Sequence, residues 1–301
     1  MWRYHPTFFT GLFPATLEPF QDENGLERIM PDKKEEKEQQ EAEARSSPTG
    51  TVVYKAILKE GYDELSRSTS ALFWSGLAAG LSMGASLMAE GLLASHLPDA
   101  PWKPLVSKFG YSVGFLVVIL GRQQLFTENT LTPILPLMRE KTMRRFANVM
   151  RLWSAVLLSN LLGCLAAAWV SHLEIAFNAD VQREFVEIGQ QALQGTFAGH
   201  VVRAVLAGWL IALMVWVLPF AESARFWVII VLSYVVGIGH FGHVVAGSVQ
   251  TFYMAVSGVA SWEAVAVNYL IPTLIGNILG GVALVAAINH AQVTSGRKGQ
   301  I

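Results

Sequence analysis

Six long apolar segments are the feature that most constrains what this chain can fold into. They cover about residues 69–95, 105–137, 152–172, 197–218, 226–259 and 266–289. Since roughly 20 helical residues cross the hydrocarbon core of a bilayer, most of these segments have ordinary spanning lengths. The chain is 52% hydrophobic and 15% charged, a composition better suited to lipid than to water. The sequence therefore predicts an all-α, multi-pass membrane protein.

Two of the segments, 105–137 and 226–259, are too long for one straight crossing. At about 1.5 Å per residue, each would extend for roughly 50 Å. Each also carries polar or helix-weakening residues near its middle: Gln123, Gln124, Thr127, Glu128, Asn129, Pro133 and Pro136 in the first, and Gly237, Gly239, His240, Gly242 and His243 in the second. Both are therefore predicted to be broken helices that fold back at mid-membrane.

The regions outside these segments have a different composition. Residues 1–50 include the charged, low-complexity run DKKEEKEQQEAEAR, which predicts a disordered tail. Residues 51–68 have apolar side chains at roughly helical spacing, as expected for a short amphipathic helix on the membrane surface or for a helical linker. The transport domain is expected to cover 69–292, and a second tail to cover 293–301.

Charge in the short loops predicts the orientation. The loop after the second segment carries Arg139, Lys141, Arg144 and Arg145, whereas the loop after the third is mainly acidic. Loops rich in lysine and arginine stay in the cytoplasm. Both termini, the tail 1–50, the helix 51–68 and the tail 293–301 are therefore predicted to be cytoplasmic.

An internal repeat is indicated by two matches at nearly the same offset. The pattern Asn-x-x-Gly occurs at Asn160 and at Asn277, which are 117 positions apart, and Phe126 and Phe241 lie 115 apart in the two broken zones. If each unit makes three crossings, the second unit starts from the opposite side of the membrane. The sequence thus predicts two inverted repeats with a substrate site near the midplane, between the broken helices.

Three motifs in this order resemble the formate/nitrite transporter family. Leu125-Phe126-Thr127-Glu128-Asn129-Thr130 resembles the loop that interrupts that family's second helix, Phe241-Gly242-His243 its broken fifth helix, and Gly276-Asn277-Ile278-Leu279-Gly280 its sixth helix. The likeness covers about residues 52–292 and is nearest to a little-characterised inner-membrane branch. It implies an aquaporin-like six-helix fold, a homopentamer, location in the inner (plasma) membrane, and passage of small anions such as formate or nitrite.

One position departs from the family pattern. In the better-known anion channels of this family a lysine precedes the fourth helix and faces the pore mouth. By alignment with those channels, Ala192 occupies that position here. The sequence therefore leaves open which anion passes and whether Arg122 or Arg203 supplies the missing positive charge.

His243 is the first candidate for a site residue. A histidine at mid-membrane, beside a half-helix, can donate a hydrogen bond or a proton to an anion, so proton-coupled passage is one hypothesis. The alternative is a core histidine bonded to a backbone carbonyl. His240, three positions earlier, is interpreted as structural, and a metal site at this pair is not expected without further ligands.

The remaining candidates surround the two breaks. Phe126 and Phe241 are predicted to form apolar constrictions on either side of His243, at which an ion must lose water. Thr127 and Asn277 provide a hydroxyl and an amide suited to a pore lining, and Leu125 belongs to the first motif by resemblance. The alternative for the phenylalanines is ordinary helix packing.

Charged residues inside apolar segments need a partner or water. Arg122 and Glu128 flank the first break, Arg203 lies in the fourth segment and Glu90 near the end of the first. One hypothesis pairs Arg122 with Glu128, or Arg203 with Glu90. The other uses Arg122 or Arg203 to attract the anion.

Other classes of function are less well supported. No basic stripe indicates nucleic-acid binding, the single cysteine Cys164 excludes an internal disulfide, and no nucleophile–base arrangement indicates an enzyme, so no cofactor is expected. A neutral-solute or water pore of the same fold remains an alternative, although the chain has no Asn-Pro-Ala pair. A further alternative is a haem-binding membrane redox protein that uses His172, His240, His243 or His290.

Overall fold

The computed structural model describes residues 49–298, and these residues are helical without a single strand. The predicted tail 1–50 lies almost entirely outside this range, as do the last residues of the tail 293–301. The prediction of an all-α protein is confirmed for the described part of the chain.

Thirteen α-helices occur between residues 49 and 298. They are α1 (Gly50–Ser66), α2 (Thr69–Ser95), α3 (Lys103–Ser107), α4 (Tyr111–Leu120), α5 (Ile134–Glu140), α6 (Met143–His172), α7 (Ala179–Leu193), α8 (Phe197–Val217), α9 (Arg225–Ile238), α10 (Ala246–Val256), α11 (Trp262–Ala264), α12 (Ile271–Leu279) and α13 (Ile288–Lys298). The last three form one long rod, because π-helical segments at Val265–Leu270 and Gly280–Ala287 join them.

Several helices begin where a side chain caps the first turn. Ser68 accepts a hydrogen bond from the backbone N–H of Ala71 at the start of α2, and Thr196 accepts one from Gly199 at the start of α8. Such caps satisfy backbone donors that have no partner within the helix. Short polar residues at the ends of the apolar segments thus determine where these helices begin.

Five helical stretches among residues 49–298 are long and apolar enough to cross a membrane. They are Thr69–Ser95, Lys103–Leu120, Met143–His172, Phe197–Phe220 and Trp262–Gln292. The apolar helix α9 is shorter, because its segment stops at Ile238 and resumes at Ala246 in α10. The chain is therefore a multi-pass membrane protein.

Both overlong segments are interrupted. The first consists of α4, an irregular stretch with a 3₁₀ turn at Glu128–Thr130, and then α5. The second consists of α9, an irregular stretch over 239–245, and then α10. We call residues 121–127 the first break and residues 239–245 the second break. Neither segment forms a continuous rod, in agreement with the interpretation of their length and composition.

Glycines bring two pairs of helices close together. A Cβ at Gly80 in α2 would overlap the backbone of Asn160 in α6, and a Cβ at Gly208 in α8 would overlap the backbone of Asn277 in α12. Only small residues permit such an approach between transmembrane helices. These two crossings place Asn160 and Asn277 where they can reach the breaks.

Helices α1 and α7 are the two longer helices that lie wholly outside the apolar segments. Helix α1 lies where the sequence predicts either an amphipathic surface helix or a helical linker, and it buries Ile57, Leu58 and Leu65 against the rest of the protein. A Cβ at Gly61 would overlap the backbone carbonyl of Thr132, so α1 packs directly on the region before α5. Helix α7 was not predicted, since its residues were interpreted only as an acidic loop.

Candidate functional site

The two breaks begin with the same backbone turn. Arg122 and His240 both have φ of 50°, in the left-handed region. The next residue in each break donates its N–H back into the preceding helix, Gln123 to Val118 O at 2.9 Å and Phe241 to Val236 O at 3.0 Å. Every pair of equivalent residues is separated by 118 positions. A left-handed turn at a non-glycine residue is uncommon, so this match is specific.

Each break is held by one buried asparagine. The Oδ1 of Asn160 accepts from Phe126 N at 2.9 Å, and its Nδ2 donates to Gln124 O and Gly76 O. The Oδ1 of Asn277 accepts from Val244 N at 2.8 Å, and its Nδ2 donates to Gly242 O and Ala204 O, both at 2.8 Å. A buried backbone group costs free energy unless it is paired, and these amides provide the partners that a break removes from a helix.

The braces correct two predictions. Asn277 is fully buried and both of its amide atoms bond to backbone groups, so its role in the structure is that of a brace and not of a pore lining. The two sets of bonds also make Phe126 equivalent to Val244, not to Phe241. The predicted match of two phenylalanines followed residue identity, whereas the repeat follows backbone hydrogen bonds with an offset of 118.

The two breaks meet at Thr127 and His243. The hydroxyl Oγ1 of Thr127 lies 2.7 Å from Nε2 of His243, and both residues are buried. The other ring nitrogen, Nδ1, accepts from the backbone N–H of Ala246 at 3.0 Å. Since an amide N–H can only donate, Nδ1 carries no proton, and the neutral ring has its proton on Nε2 and donates to Thr127. His243 is therefore held as a neutral hydrogen-bond donor.

The hydroxyl of Thr127 is then polarised towards donation. It accepts from His243, and its own proton remains to be donated elsewhere. The backbone carbonyl of His243 accepts from the hydroxyl of Tyr269 at 3.1 Å, and the Cys164 thiol donates to the carbonyl of Val245 at 3.3 Å. These bonds fix the second break from several neighbouring helices.

The aromatic residues of the two breaks differ in their surroundings. Phe126 is 1% exposed and packs edge-on against Trp153, with ring centroids 5.7 Å apart. Leu125, beside it, is fully buried. Phe241 is half-buried and lines a cavity, whereas the ring of Phe115 packs edge-on against His243 at 5.0 Å. Phe241 thus borders the open space, whereas Phe115 and Phe126 lie in the packed interior.

A polar cavity of about 40 Å³ lies against the second break. By the same measure roughly 10–15 Å³ holds one water molecule, so the space suits a small ion with water. Its lining includes Lys108, Tyr111, Gln191, Ala192, His200, Arg203, His240, Phe241, Gly242, Gln250 and Tyr269. Ala192, the position at which the familiar lysine is absent, therefore lines this cavity.

The charged residues of the cavity are not paired as predicted. Glu90 is bonded to Lys108, not to Arg203, because Lys108 follows the short helix α3, which returns across the end of α2. The guanidinium Nη2 of Arg203 donates instead to the backbone carbonyl of Gln194 at 2.7 Å. The predicted Arg203–Glu90 pair is therefore wrong, and Arg203 keeps its charge at the cavity without an acidic partner within residues 49–298.

Arg122 and Glu128 are not a pair either. The Oε1 of Glu128 is buried without a hydrogen-bond partner in the described residues, and Arg122 is exposed at the left-handed turn. Residues 123–127 lie between the left-handed turn at Arg122 and Glu128, which begins the 3₁₀ turn. Both lie at the first break and neither lines the cavity, so only Arg203 of the predicted cations shares a space with Ala192.

Several residues of this site could not be selected from the sequence. Lys108 lies between α3 and α4, Tyr111 is the first residue of α4, and Gln191 lies on α7, which was interpreted as a loop. A usable signal was present for α7, since Val181, Phe185 and Ile188 recur at helical spacing after the capping residue Asn178. His200 was not singled out, although it is 3% exposed and belongs to the cavity lining.

The histidines proposed as haem ligands do not form one set. His243 uses both ring nitrogens within the protein, and Nδ1 of His290 lies 2.9 Å from the hydroxyl of Tyr54. His172 packs against Tyr253, outside the cavity lining. Within residues 49–298 no three residues of the metal-ligating types are grouped to hold an ion.

The comparisons agree with the resemblance noted in the sequence. A family model described as formate/nitrite transporter matches residues 51–291. The chain is 41% identical over 251 residues to the inner membrane protein YfdC of Escherichia coli (strain K12), covering 83% of this chain and 81% of that protein. It is 26% identical over 239 residues to the formate-nitrite transporter of Plasmodium falciparum (isolate 3D7), covering 74% of this chain and 76% of that one.

Two solved structures share the fold. A pentameric formate channel with formate bound superposes with a TM-score of 0.62 and 19% identity, covering 78% of this chain and 98% of that chain. An ion channel of the FNT family superposes with a TM-score of 0.71 and 17% identity, covering 80% and 99%. At these identities the likeness concerns the fold.

Proposed function

Because this chain belongs to the formate/nitrite transporter family, we propose that it passes small monovalent anions of the formate or nitrite type across a membrane. The family and the solved neighbours are channels and transporters, not enzymes. The observation that carries the proposal is the 2.7 Å contact of Thr127 with His243, which joins the two breaks at a buried point with a hydroxyl proton free to donate.

The proposed route passes between the breaks. Thr127, Phe241 and His243 are proposed to border it, Leu125, Phe126 and Asn277 to hold the two breaks that form its walls, and Arg122, Glu128 and Arg203 to lie nearer its ends. Thr127 donates to the passing anion, and His243 orients Thr127 as a neutral donor. Asn277 contributes by holding the second break. Phe241, at the cavity, is the proposed apolar constriction at which the anion loses water, whereas Phe126 packs against Trp153 in the first break.

Arg203 is proposed to replace the lysine absent at Ala192. Both line the same cavity, and Lys108, which also lines it, forms an ion pair with Glu90. A cation at a pathway mouth raises the local concentration of anions. Arg122, at the other break, is proposed to serve the opposite end of the route.

The proposed architecture is an aquaporin-like bundle of six crossings in two inverted repeats. The shared turns, the two asparagine braces and the two glycine crossings support a duplicated unit. Three crossings per unit place the second copy in the opposite sense. The transport domain is proposed to cover 69–292, with α1 and the tails 1–50 and 293–301 in the cytoplasm.

A homopentamer in the inner membrane is also proposed. It is supported by one solved neighbour, a pentameric formate channel, and by the E. coli relative, an inner membrane protein. Large apolar side chains such as Trp74, Trp169 and Trp227 are more than half exposed and are available to lipid or to neighbouring protomers.

Uptake by liposomes containing the purified protein tests the proposal. Stopped-flow traces with formate, nitrite, acetate and water should show saturable uptake of at least one small anion. Thr127→Val should reduce that uptake about tenfold, since removing a buried hydrogen bond costs roughly 1–3 kcal/mol. The matched control is Thr251→Val, which removes a buried hydroxyl that only bonds to Gly247 O in its own helix. Swelling with water but no anion uptake would favour a neutral pore and contradict the proposal.

A further inference from the structure

His200 has an unusual environment for a buried histidine. It lies in the first turn of α8 with 3% of its surface exposed, and its Nε2 is buried without a hydrogen-bond partner among residues 49–298. Buried polar atoms in native proteins almost always have a partner. The ring lines the cavity and packs edge-on against Tyr269, with centroids 5.9 Å apart. The free nitrogen is therefore positioned to bond to a ligand in the cavity.

Arg203 approaches the same point from one turn further along α8. A Cβ on Gly195 would touch Nη2 of Arg203 and lie 3.5 Å from Nε2 of His200. Gly195 has φ of 130°, a conformation that side chains rarely adopt, so this space is kept open. The guanidinium uses one of its N–H donors on Gln194 O, which leaves others for an anion.

His200 and His243 differ in what they can do with a proton. Nδ1 of His243 is blocked by the N–H of Ala246, so protonation of that ring would set two donors against each other. Nε2 of His200 has an unused lone pair or proton position. Of these two histidines, only His200 can gain a proton without breaking an existing bond at the nitrogen concerned.

We propose that His200 and Arg203 form a binding site for a monovalent oxyanion, and that His200 takes up a proton from water when the anion binds. A hydronium ion from bulk water loses one O–H bond and becomes water, and its proton forms a new N–H bond at Nε2. That N–H donates to one anion oxygen, and Arg203 donates to the anion as well. No electron is transferred. This inference rests on the proposed function and deepens it, because the anion and one proton bind together. The proton is held on His200 and the anion lies beside it.

The charges around His200 explain why the two events are coupled. Arg203 faces it from its own helix, and the other titratable groups of the cavity are Lys108 paired with Glu90, His240, Tyr111 and Tyr269. Arg203 disfavours a second positive charge in the empty cavity. An anion between the two side chains reverses that effect, since opposite charges at short range favour the ionised form.

Formate uptake by liposomes containing the full-length protein, measured between about pH 5.5 and 7.5, tests the inference. Where one proton binds with the anion, apparent affinity changes by up to about tenfold per pH unit. For the wild type, we expect the apparent affinity for formate to rise at least fivefold as the pH falls from about 7.5 to 5.5. For His200→Gln, the rise should be less than twofold. Arg203→Gln should weaken affinity at every pH and keep the pH dependence. Protein-free liposomes provide the control, because they measure how fast neutral formic acid diffuses through the bilayer itself.

His172→Gln is the matched control. Nδ1 of His172 is also buried without a partner in the described residues, but this ring packs against Tyr253, outside the cavity lining. The control should retain the wild-type pH dependence. Wild-type pH dependence in His200→Gln would overturn the inference while leaving the proposed function intact. Absence of formate uptake by the wild type would overturn the inference with formate as the probe, and absence of uptake for every anion would overturn the proposed function as well.

A second measurement avoids any folding defect of the variant. Diethyl pyrocarbonate modifies imidazole nitrogens that have a free lone pair, and mass spectrometry locates the modified residue. In the wild type, formate should slow modification of His200 several-fold and leave that of exposed His96 unchanged. Equal modification with and without formate, or no modification of His200 in either sample, would contradict a site at His200 that ligands can reach.

Discussion

The two breaks have the same framework and different contents. Both begin with a left-handed turn, at Arg122 and at His240, and both are held by an asparagine from a neighbouring helix. At the equivalent central position, the first break has Leu125 and the second has His243. The duplicated bonds therefore build the framework, and the chemistry depends on the residues that are not duplicated.

Their surroundings differ as well. The second break borders a cavity with Lys108 and Arg203, whereas the first has Glu128 beside it and Arg122 exposed. The two breaks therefore differ in the balance of charge around them, although their backbone turns are equivalent.

The shared framework predicts the largest effects. Asn160→Leu and Asn277→Leu each remove three buried hydrogen bonds and leave backbone groups without partners. Each unpaired group costs about 1–3 kcal/mol, so both variants should lose several kcal/mol and unfold at much lower temperature. Thermal unfolding in detergent, followed by light scattering or size exclusion, measures this.

The control for both variants is Asn268→Leu, which replaces an exposed asparagine on the π-helical segment. It should unfold at nearly the wild-type temperature. A large loss in Asn160→Leu with none in Asn277→Leu would mean that the two braces are equivalent in geometry only.

The next largest effect is expected at His243, the central residue of the second break, whose equivalent in the first break is Leu125. His243→Leu gives the second break the residue of the first, and it removes the bonds to Thr127 and Ala246. The rate of anion uptake should fall by about fivefold to a hundredfold, because losing a buried hydrogen bond costs about 1–3 kcal/mol. His243→Gln retains an N–H donor on a side chain of similar reach and should recover part of the uptake, with unchanged pH dependence. Loss of pH dependence in the glutamine variant would indicate that His243 itself carries a proton.

The sequence predicted the framework better than its details. Segment length and composition located the five long apolar helices and both breaks, because hydrophobicity and helix-weakening residues are local properties. The partner of Glu90 was missed, because Lys108 reaches it only after the chain turns through α3. The register of the repeat was missed as well, since Phe126 and Val244 are equivalent through backbone bonds to asparagines, which residue identity does not reveal.

Helix α7 illustrates a different reason for failure. Its exposed face carries several charges, which suggested a loop, while its buried face has Val181, Phe185 and Ile188 at helical spacing. This face is recognised from its tertiary contacts. The ring of Phe185 fills the space beside Gly91, and Gly189 of α7 packs against Met254. The residues that line the cavity from α7 therefore required the structure.

The smallest predicted effect concerns the two left-handed turns. A non-glycine residue in this conformation costs about 1–2 kcal/mol relative to its preferred one, whereas glycine adopts it freely. Arg122→Gly and His240→Gly should therefore be more stable than the matched variants Arg122→Ala and His240→Ala, by about 0.5–1 kcal/mol after the larger loss of backbone entropy of glycine. Comparing glycine with alanine at each site removes the effect of the lost side chain. Because the two turns have the same φ and equivalent bonds into the preceding helix, the difference should be similar at both. A difference at one turn only would show that the breaks share a shape but not the energetics that maintain it.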